Sequence, residues 1–294
     1  MTDLTRLTGL RVAITGGARG IGAATARAFA EHGASVAIGD LDADLALRTA
    51  KEIAGSTGST LTGSTLTGMP LDVTDPLSFD AFVTAAADEL GGLDVVVNNA
   101  GIMPTGYFLD EPDEVTARQL EINLRGVITG CKIAGRRFRA EGRGQLVNIA
   151  SIAGVAAFPG AAVYCAGKHA VVGLSTALQQ ELAPFGVTVT AIAPGFVNTE
   201  LIAGLAPSRL VRAFGLVEPA DVAKAVVTAV ARGRGGTVFV PRFGGSLTRA
   251  LSAGPQRLRN GMARLMGLDT VLLRPDPVQR ADYRERIGDS TPLA

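Results

Sequence analysis

Short apolar runs alternate along this chain with longer stretches in which apolar residues recur every three or four positions. The runs at 11–14, 35–38, 94–97, 145–149, 187–192 and 237–240 predict strands. The stretches at 23–32, 43–53, 113–140, 164–183 and 219–231 predict helices, and Gly33 is a natural stop for the first. Runs such as Val95-Val96-Val97 carry no polar face, so these strands are expected to be buried on both sides. Strand and helix in alternation predict an α/β fold, a doubly wound parallel sheet with helices on each face.

Two stretches depart from that rhythm. Residues 59–68 repeat Ser-Thr-Leu-Thr-Gly twice; one copy is expected to feed a strand before Asp72 and the other to lengthen a loop. After Pro241 the pattern changes. Residues 242–264 hold Arg242, Arg249, Arg257, Arg259 and Arg264 without an acid, and Leu258, Met262, Leu265 and Met266 recur at helical spacing. The expected organisation is one domain over 1–243 and an Arg-rich helical extension over 244–294 packed on it. The expected role of the extension is a solvated helix docked by its Leu and Met stripe. A cover over a binding mouth, a subunit contact or a membrane-surface contact are the alternatives.

Composition narrows the function classes. The 294 residues carry 28 Lys plus Arg against 27 Asp plus Glu, so no basic excess points to nucleic acid. Cys131 and Cys165 make no disulfide framework, and a reducing, cytoplasmic setting is expected. The 22 residues from Leu146 to Gly167 bear no formal charge. Asn148, Ser151, Gly154, Pro159 and Gly160 interrupt them, so they read as strand, loop and helix start rather than a membrane span. No His, Cys and acid cluster suggests a metal site.

Three features carry candidate chemistry. Thr15-Gly16-Gly17-Ala18-Arg19-Gly20-Ile21-Gly22 lies between a predicted strand and helix. Glycines there let backbone approach a pyrophosphate, and the helix N-terminus offers free amides and a positive dipole end. Asp40 ends the second strand, 18 residues after Gly22, where a carboxylate accepts from ribose hydroxyls and repels a ribose phosphate. That favours NAD over NADP; Arg19, able to reach a phosphate, argues the other way. Finally, Tyr164 and Lys168 stand at i and i+4, on one helix face, with Ser151 thirteen residues earlier at a strand end. A neighbouring ammonium and a positive nicotinamide would favour the phenolate, making Tyr164 a usable base. His169 points elsewhere around the helix and reads as structural.

Together these residues resemble the short-chain dehydrogenase/reductase family over residues 8 to about 243. Asp72-Val73, Asn98-Asn99-Ala100-Gly101, Pro194-Gly195 and Thr199 add further family motifs in the family's order. The resemblance implies a Rossmann fold and a catalytic tetrad of Asn123, Ser151, Tyr164 and Lys168. In it Tyr164 is the acid or base, Lys168 lowers its pKa and binds the nicotinamide ribose, and Ser151 steadies the substrate oxygen. Asn123 would hold a water linking Lys168 to a proton relay. Cofactor contacts are implied for Gly16, Arg19, Gly20, Ile21, Gly22, Asp40, Leu41, Asp72, Val73, Asn99, Ala100, Gly101, Tyr164, Lys168, Pro194, Gly195, Val197 and Thr199. For Asn98, a structural bridge between strands stands beside cofactor contact. A homodimer or homotetramer is also implied.

The expected function is therefore NAD-dependent interconversion of a hydrophobic secondary alcohol and ketone, steroid-, terpenoid- or lipid-like. The substrate loops are expected at Ile102-Met103-Pro104, 152–159 and 196–214, which are mainly apolar but carry Arg209 and Arg212. An NADP-dependent ketone reductase, a family epimerase or lyase, and a catalytically quiet NAD(H)-binding sensor are the alternatives.

Overall fold

The structure, a computed structural model, describes residues 2–57, 63–205, 216–242 and 271–291, with Pro255 and Arg257. Arg209, Arg212, Arg249, Arg259, Arg264 and the Leu and Met stripe at 258–266 lie outside the described residues.

Seven parallel strands form the main sheet in the order β3-β2-β1-β4-β5-β6-β9. They are β1 (Arg11–Thr15), β2 (Ser35–Asp40), β3 (Leu66–Pro70), β4 (Val95–Asn98), β5 (Gly144–Ile149), β6 (Val187–Pro194) and β9 (Gly236–Val240). Two short strands, β7 (Phe196–Val197) and β8 (Leu216–Val217), pair separately. Strand alternation divides the core. Val12, Ile14, Val36, Ile38, Val95 and Val97 pack on one face, under α1 (Gly20–Glu31), α2 (Ala43–Thr57) and α7 (Pro219–Arg232). Ala13, Ala37, Val96, Leu146 and Val189 pack on the other, under α3 (Pro76–Leu90), α5 (Gly126–Glu141) and α6 (Ala162–Leu182). The expected doubly wound sheet is what forms.

The second copy of the duplicated pentapeptide enters β3, with Gly68 inside the strand. A Cβ there would lie 2.3 Å from the Ala46 carbonyl carbon, so α2 packs this closely only over glycine. The helix expected over 113–140 is one rod with a defect. Between α4 (Asp113–Leu120) and α5, Glu121–Arg125 forms a π-helical turn that holds Asn123. Such a bulge re-aims side chains without ending the helix. The uncharged stretch after Leu146 divides into strand, a single 3-10 turn (Ile152–Gly154) and the start of α6. Among the described residues no helix is long and apolar enough to cross a membrane.

The strand order reverses between β1 and β4, which opens a crevice beyond their carboxyl ends.

Candidate active site

A cavity of about 720 Å³ occupies that crevice. One end is built from glycine backbone. Gly16 has φ +61°, and a Cβ on it would come 2.8 Å from Ala100 Cα; one on Gly22 would come 2.3 Å from the Gly16 oxygen. The turn therefore closes against both β4's exit and its own helix only because side chains are missing. Asn99 fastens it: its Nδ2 donates to the Thr15 and Gly16 carbonyls at 2.9 and 2.8 Å. No side chain caps the N-terminus of α1, so its first-turn amides remain for a ligand.

Asp40 lines the cavity and accepts from the Ala18 and Asp42 amides at 3.1 and 3.2 Å. Arg19 lies between two acids, 3.4 Å from Asp42 and 3.8 Å from Glu200. This site fits an adenine dinucleotide: a side-chain-free cradle for a diphosphate and a carboxylate held at the end of β2. Of the expected cofactor residues, all line the cavity except Gly22, which packs beneath it.

Ser151, Tyr164 and Lys168 come together on the cavity wall. Ser151 leaves β5 and accepts from the Ala153 amide, which fixes the next turn. Tyr164 and Lys168 are one turn apart on α6, at 8% and 4% exposure. Lys168 Nζ donates to the Ile149 carbonyl at 2.8 Å and lies 5.6 Å from the centre of the Tyr164 ring. Burial depresses the ammonium to about 8. Burial also raises the Tyr164 phenol above its ordinary value, against a lowering hydrogen bond with Ser151. The phenolate is expected with a positive nicotinamide beside the ammonium; in the protein alone burial holds the phenol above its ordinary value. Desolvation of the phenolate outweighs what the Ser151 hydrogen bond returns.

Asn123 does not line the cavity. It stands behind the wall, where Nδ2 donates to the Ile102 carbonyl at 2.7 Å and Oδ1 accepts from the Ile102 amide at 2.9 Å. Gly101 separates it from Lys168: a Cβ there would be 3.0 Å from Asn123 Oδ1 and 3.8 Å from Lys168 Nζ. Asn98 is a bridge between strands. It donates to Asn148 at 2.8 Å, which in turn donates to Ser175 on α6 at 2.9 Å. His169 bonds the Cys165 carbonyl within its own helix.

The other end of the cavity is apolar, lined by Ile102, Met103, Ile152, Phe158, Phe196, Leu201 and Ile202. These come from the three expected substrate loops. Its roof comes from the extension, for which a cover over the binding mouth is one of the alternatives. The last described helix, α8 (Pro277–Ile287), starts at the cap residue Asp276, ends at Gly288 and lies over the mouth. Arg280 is fully buried and donates to the carbonyls of Leu201, Ala203 and Met103 at 2.9, 2.9 and 2.6 Å. Tyr283 Oη accepts from the Met103 amide at 2.8 Å. Arg286 pairs with Glu200, the acid that also faces Arg19. Leu272, Tyr283, Arg286 and Ile287 all line the cavity. The described part of the extension therefore lies as a cover, held by the buried polar anchors of Arg280 and Tyr283 and by apolar packing of Val271, Leu272 and Ile287. Asp276-Pro277 and Gly288 mark this helix in the sequence, but nothing local shows that its Arg and Tyr turn inward.

Comparison with known proteins is consistent along most of the chain. The family model described as short chain dehydrogenase matches residues 11–209. The probable oxidoreductase EphD of Mycobacterium tuberculosis is 40% identical over 193 residues, 65% of this chain and 32% of that protein. The chain thus spans about a third of the length of that relative. The 2,5-dichloro-2,5-cyclohexadiene-1,4-diol dehydrogenase LinX of Sphingobium indicum is 38% identical over 205 residues, 70% of this chain and 80% of that one. A short-chain type dehydrogenase/reductase from Mycobacterium marinum, solved by crystallography, superposes with TM-score 0.69 at 30% identity. The superposition covers 81% of this chain and 96% of that one.

Proposed function

The chain belongs to the short-chain dehydrogenase family, and from that premise we propose that it interconverts an apolar secondary alcohol and its ketone with NAD. One observation carries the reading. Ser151, Tyr164 and Lys168 share a wall between a side-chain-free cradle and an apolar chamber. When bound, the nicotinamide dinucleotide supplies the site that takes or gives the hydride. Tyr164 takes the alcohol proton, or gives one to the ketone, and Ser151 donates to the substrate oxygen as charge builds there. Lys168 places a positive charge near the phenol, and a bound oxidised nicotinamide would add a second, the two together favouring the phenolate. Asn123 acts from behind as a positioning residue through Ile102, with Gly101 keeping room between it and Lys168.

Asp40 supports NAD, since a phosphate on the adenine ribose would meet its carboxylate. The competing NADP reading rests on Arg19, yet Arg19 is engaged by Asp42 and Glu200. LinX, named for a ring diol, supports a cyclic or otherwise apolar alcohol as substrate. The free, buried Cys131 and Cys165 fit a reducing cytoplasm, and the family resemblance supports a homodimer or homotetramer. The test is fluorescence titration with NADH and NADPH, then turnover across a panel of apolar alcohols. NADH is expected to bind at least tenfold tighter, with Asp40→Ala narrowing the gap about tenfold. Preference for NADPH, or turnover of small polyols alone, would refute the assignment.

A further inference from the structure

We propose that Tyr283 is a second hydrogen-bond donor to substrate, and that the pocket selects alcohols carrying another oxygen besides the reacting one. The proposal rests on the alcohol reading above and narrows its substrate class to diols, hydroxy ketones and their ethers.

Tyr283 is 3% exposed, yet it lines the cavity that also holds Tyr164 and Ser151. Its oxygen is fixed, because the Met103 amide donates to it. That bond uses a lone pair and leaves the phenolic proton unspent. Among the described residues the hydroxyl has no hydrogen-bond acceptor for that proton. A buried O–H normally has one, since leaving it unmade is costly. The ring cannot easily turn away. Arg280 and Arg286 guanidinium groups lie 4.7 and 5.4 Å from its centre, and Arg280 is itself tied to three carbonyls. Burial, partly offset by the Met103 bond, pushes the phenol up to about 12, so it remains a donor at any working pH. Ile102, Ile287 and Leu201 pack against the ring, and the buried acid near it, Asp289, pairs with Arg284 and accepts no hydrogen bond from the phenol among the described residues. A substrate oxygen is the acceptor such a place lacks. Tyr283 lies outside residues 11–209, which the family model matches.

The experiment compares three substrates built on whichever alcohol scaffold the panel finds: the plain alcohol, its diol, and the diol's monomethyl ether. The ether accepts a hydrogen bond but offers none at that position. With wild-type protein, kcat/KM for diol and ether should exceed that of the plain alcohol by about tenfold, the ordinary worth of one such bond. Tyr283→Phe should bring the diol-to-plain and ether-to-plain ratios of kcat/KM down from about ten to about one, whatever it does to the plain alcohol itself. Melting and NADH affinity are read alongside, because this variant also strips the Met103 amide of its acceptor. An equal loss on all three substrates would make Tyr283 merely a prop for Met103 and overturn the proposal. A wild-type ratio near one would overturn it even if the variant fails to fold. Absence of turnover with every scaffold would instead sink the alcohol reading, and this proposal with it.

Discussion

The two ends of the cavity are held by opposite means. The dinucleotide end is backbone against backbone: Gly16 against Ala100, Gly22 against Gly16, with Asn99 fastening the turn. Its residues come from strand ends that the sheet already places side by side. The substrate end is made by side chains reaching across the fold. Arg280 joins Met103, Leu201 and Ala203 in one cluster, and Tyr283 takes the Met103 amide. The first end tolerates no added atoms, whereas the second depends on a few long polar side chains. A cofactor common to many reactions can be met by fixed backbone. A substrate particular to one is met where side chains can be exchanged.

Tyr164 stands where the ends meet, and Tyr164→Phe is the severest test. Turnover should fall by about a thousandfold or more, while NADH affinity holds within about twofold, the phenol being asked for chemistry and not for binding. If affinity fell in parallel, the division between the ends would fail at its centre. Next, Arg280→Ala should cost about 3 kcal/mol of stability by leaving buried carbonyls bare. It should raise KM for the alcohol yet leave the NADH Kd almost unmoved. Urea melts and titration of the same sample would read both. Equal loss at both ends would mean that α8 supports the whole sheet.

The smallest effect sharpens the comparison through pH. Lys168 is depressed to about 8, so above that pH the unfolded chain binds a proton that the native protein lacks. Native stability should therefore rise between about 8 and Tyr164's ordinary pKa near 10, by on the order of 2 kcal/mol. Tyr164, shifted the other way by burial, keeps its proton longer when folded, so its contribution falls as pH rises through its folded value. Lys168→Met should flatten the rising limb in melts at pH 8, 9 and 10. An unchanged slope would show that Lys168 is hydrated.

This contrast also decides what could be read from sequence. The dinucleotide end was legible because its meaning is local. Thr15 to Gly22 and Asn99 to Gly101 are contiguous, and Asp40 lies at a set distance along the same unit. The alternation of runs fixes the sheet, and with it the convergence of those segments. The helix α3 escaped notice although Asp75-Pro76 opens it and Phe79, Phe82, Val83 and Ala86 form its buried face. The helix α8 was less legible still. Arg280, Arg284 and Arg286 give 277–287 the composition of an exposed helix, and charged side chains are seldom fully buried. Only the tertiary arrangement shows that carbonyls at 103, 201 and 203 converge on one guanidinium. The raised phenol is similar: the i, i+4 spacing of Tyr164 and Lys168 is local, but the burial that raises the phenol comes from the rest of the fold.

The anchoring of Met103 by Arg280 has a consequence for how the protein comes into being. A ribosome delivers residue 280 after both strands flanking the crevice, so the dinucleotide cradle can assemble while the chamber beside it is still open. Joining Met103 to Arg280 spans 177 residues, against 84 for Thr15 and Asn99. Doubling a loop adds only about 0.6 kcal/mol of closure entropy, so the late arrival costs little. A stop codon between 242 and 277 would therefore release a chain whose sheet is complete and whose substrate chamber has no roof.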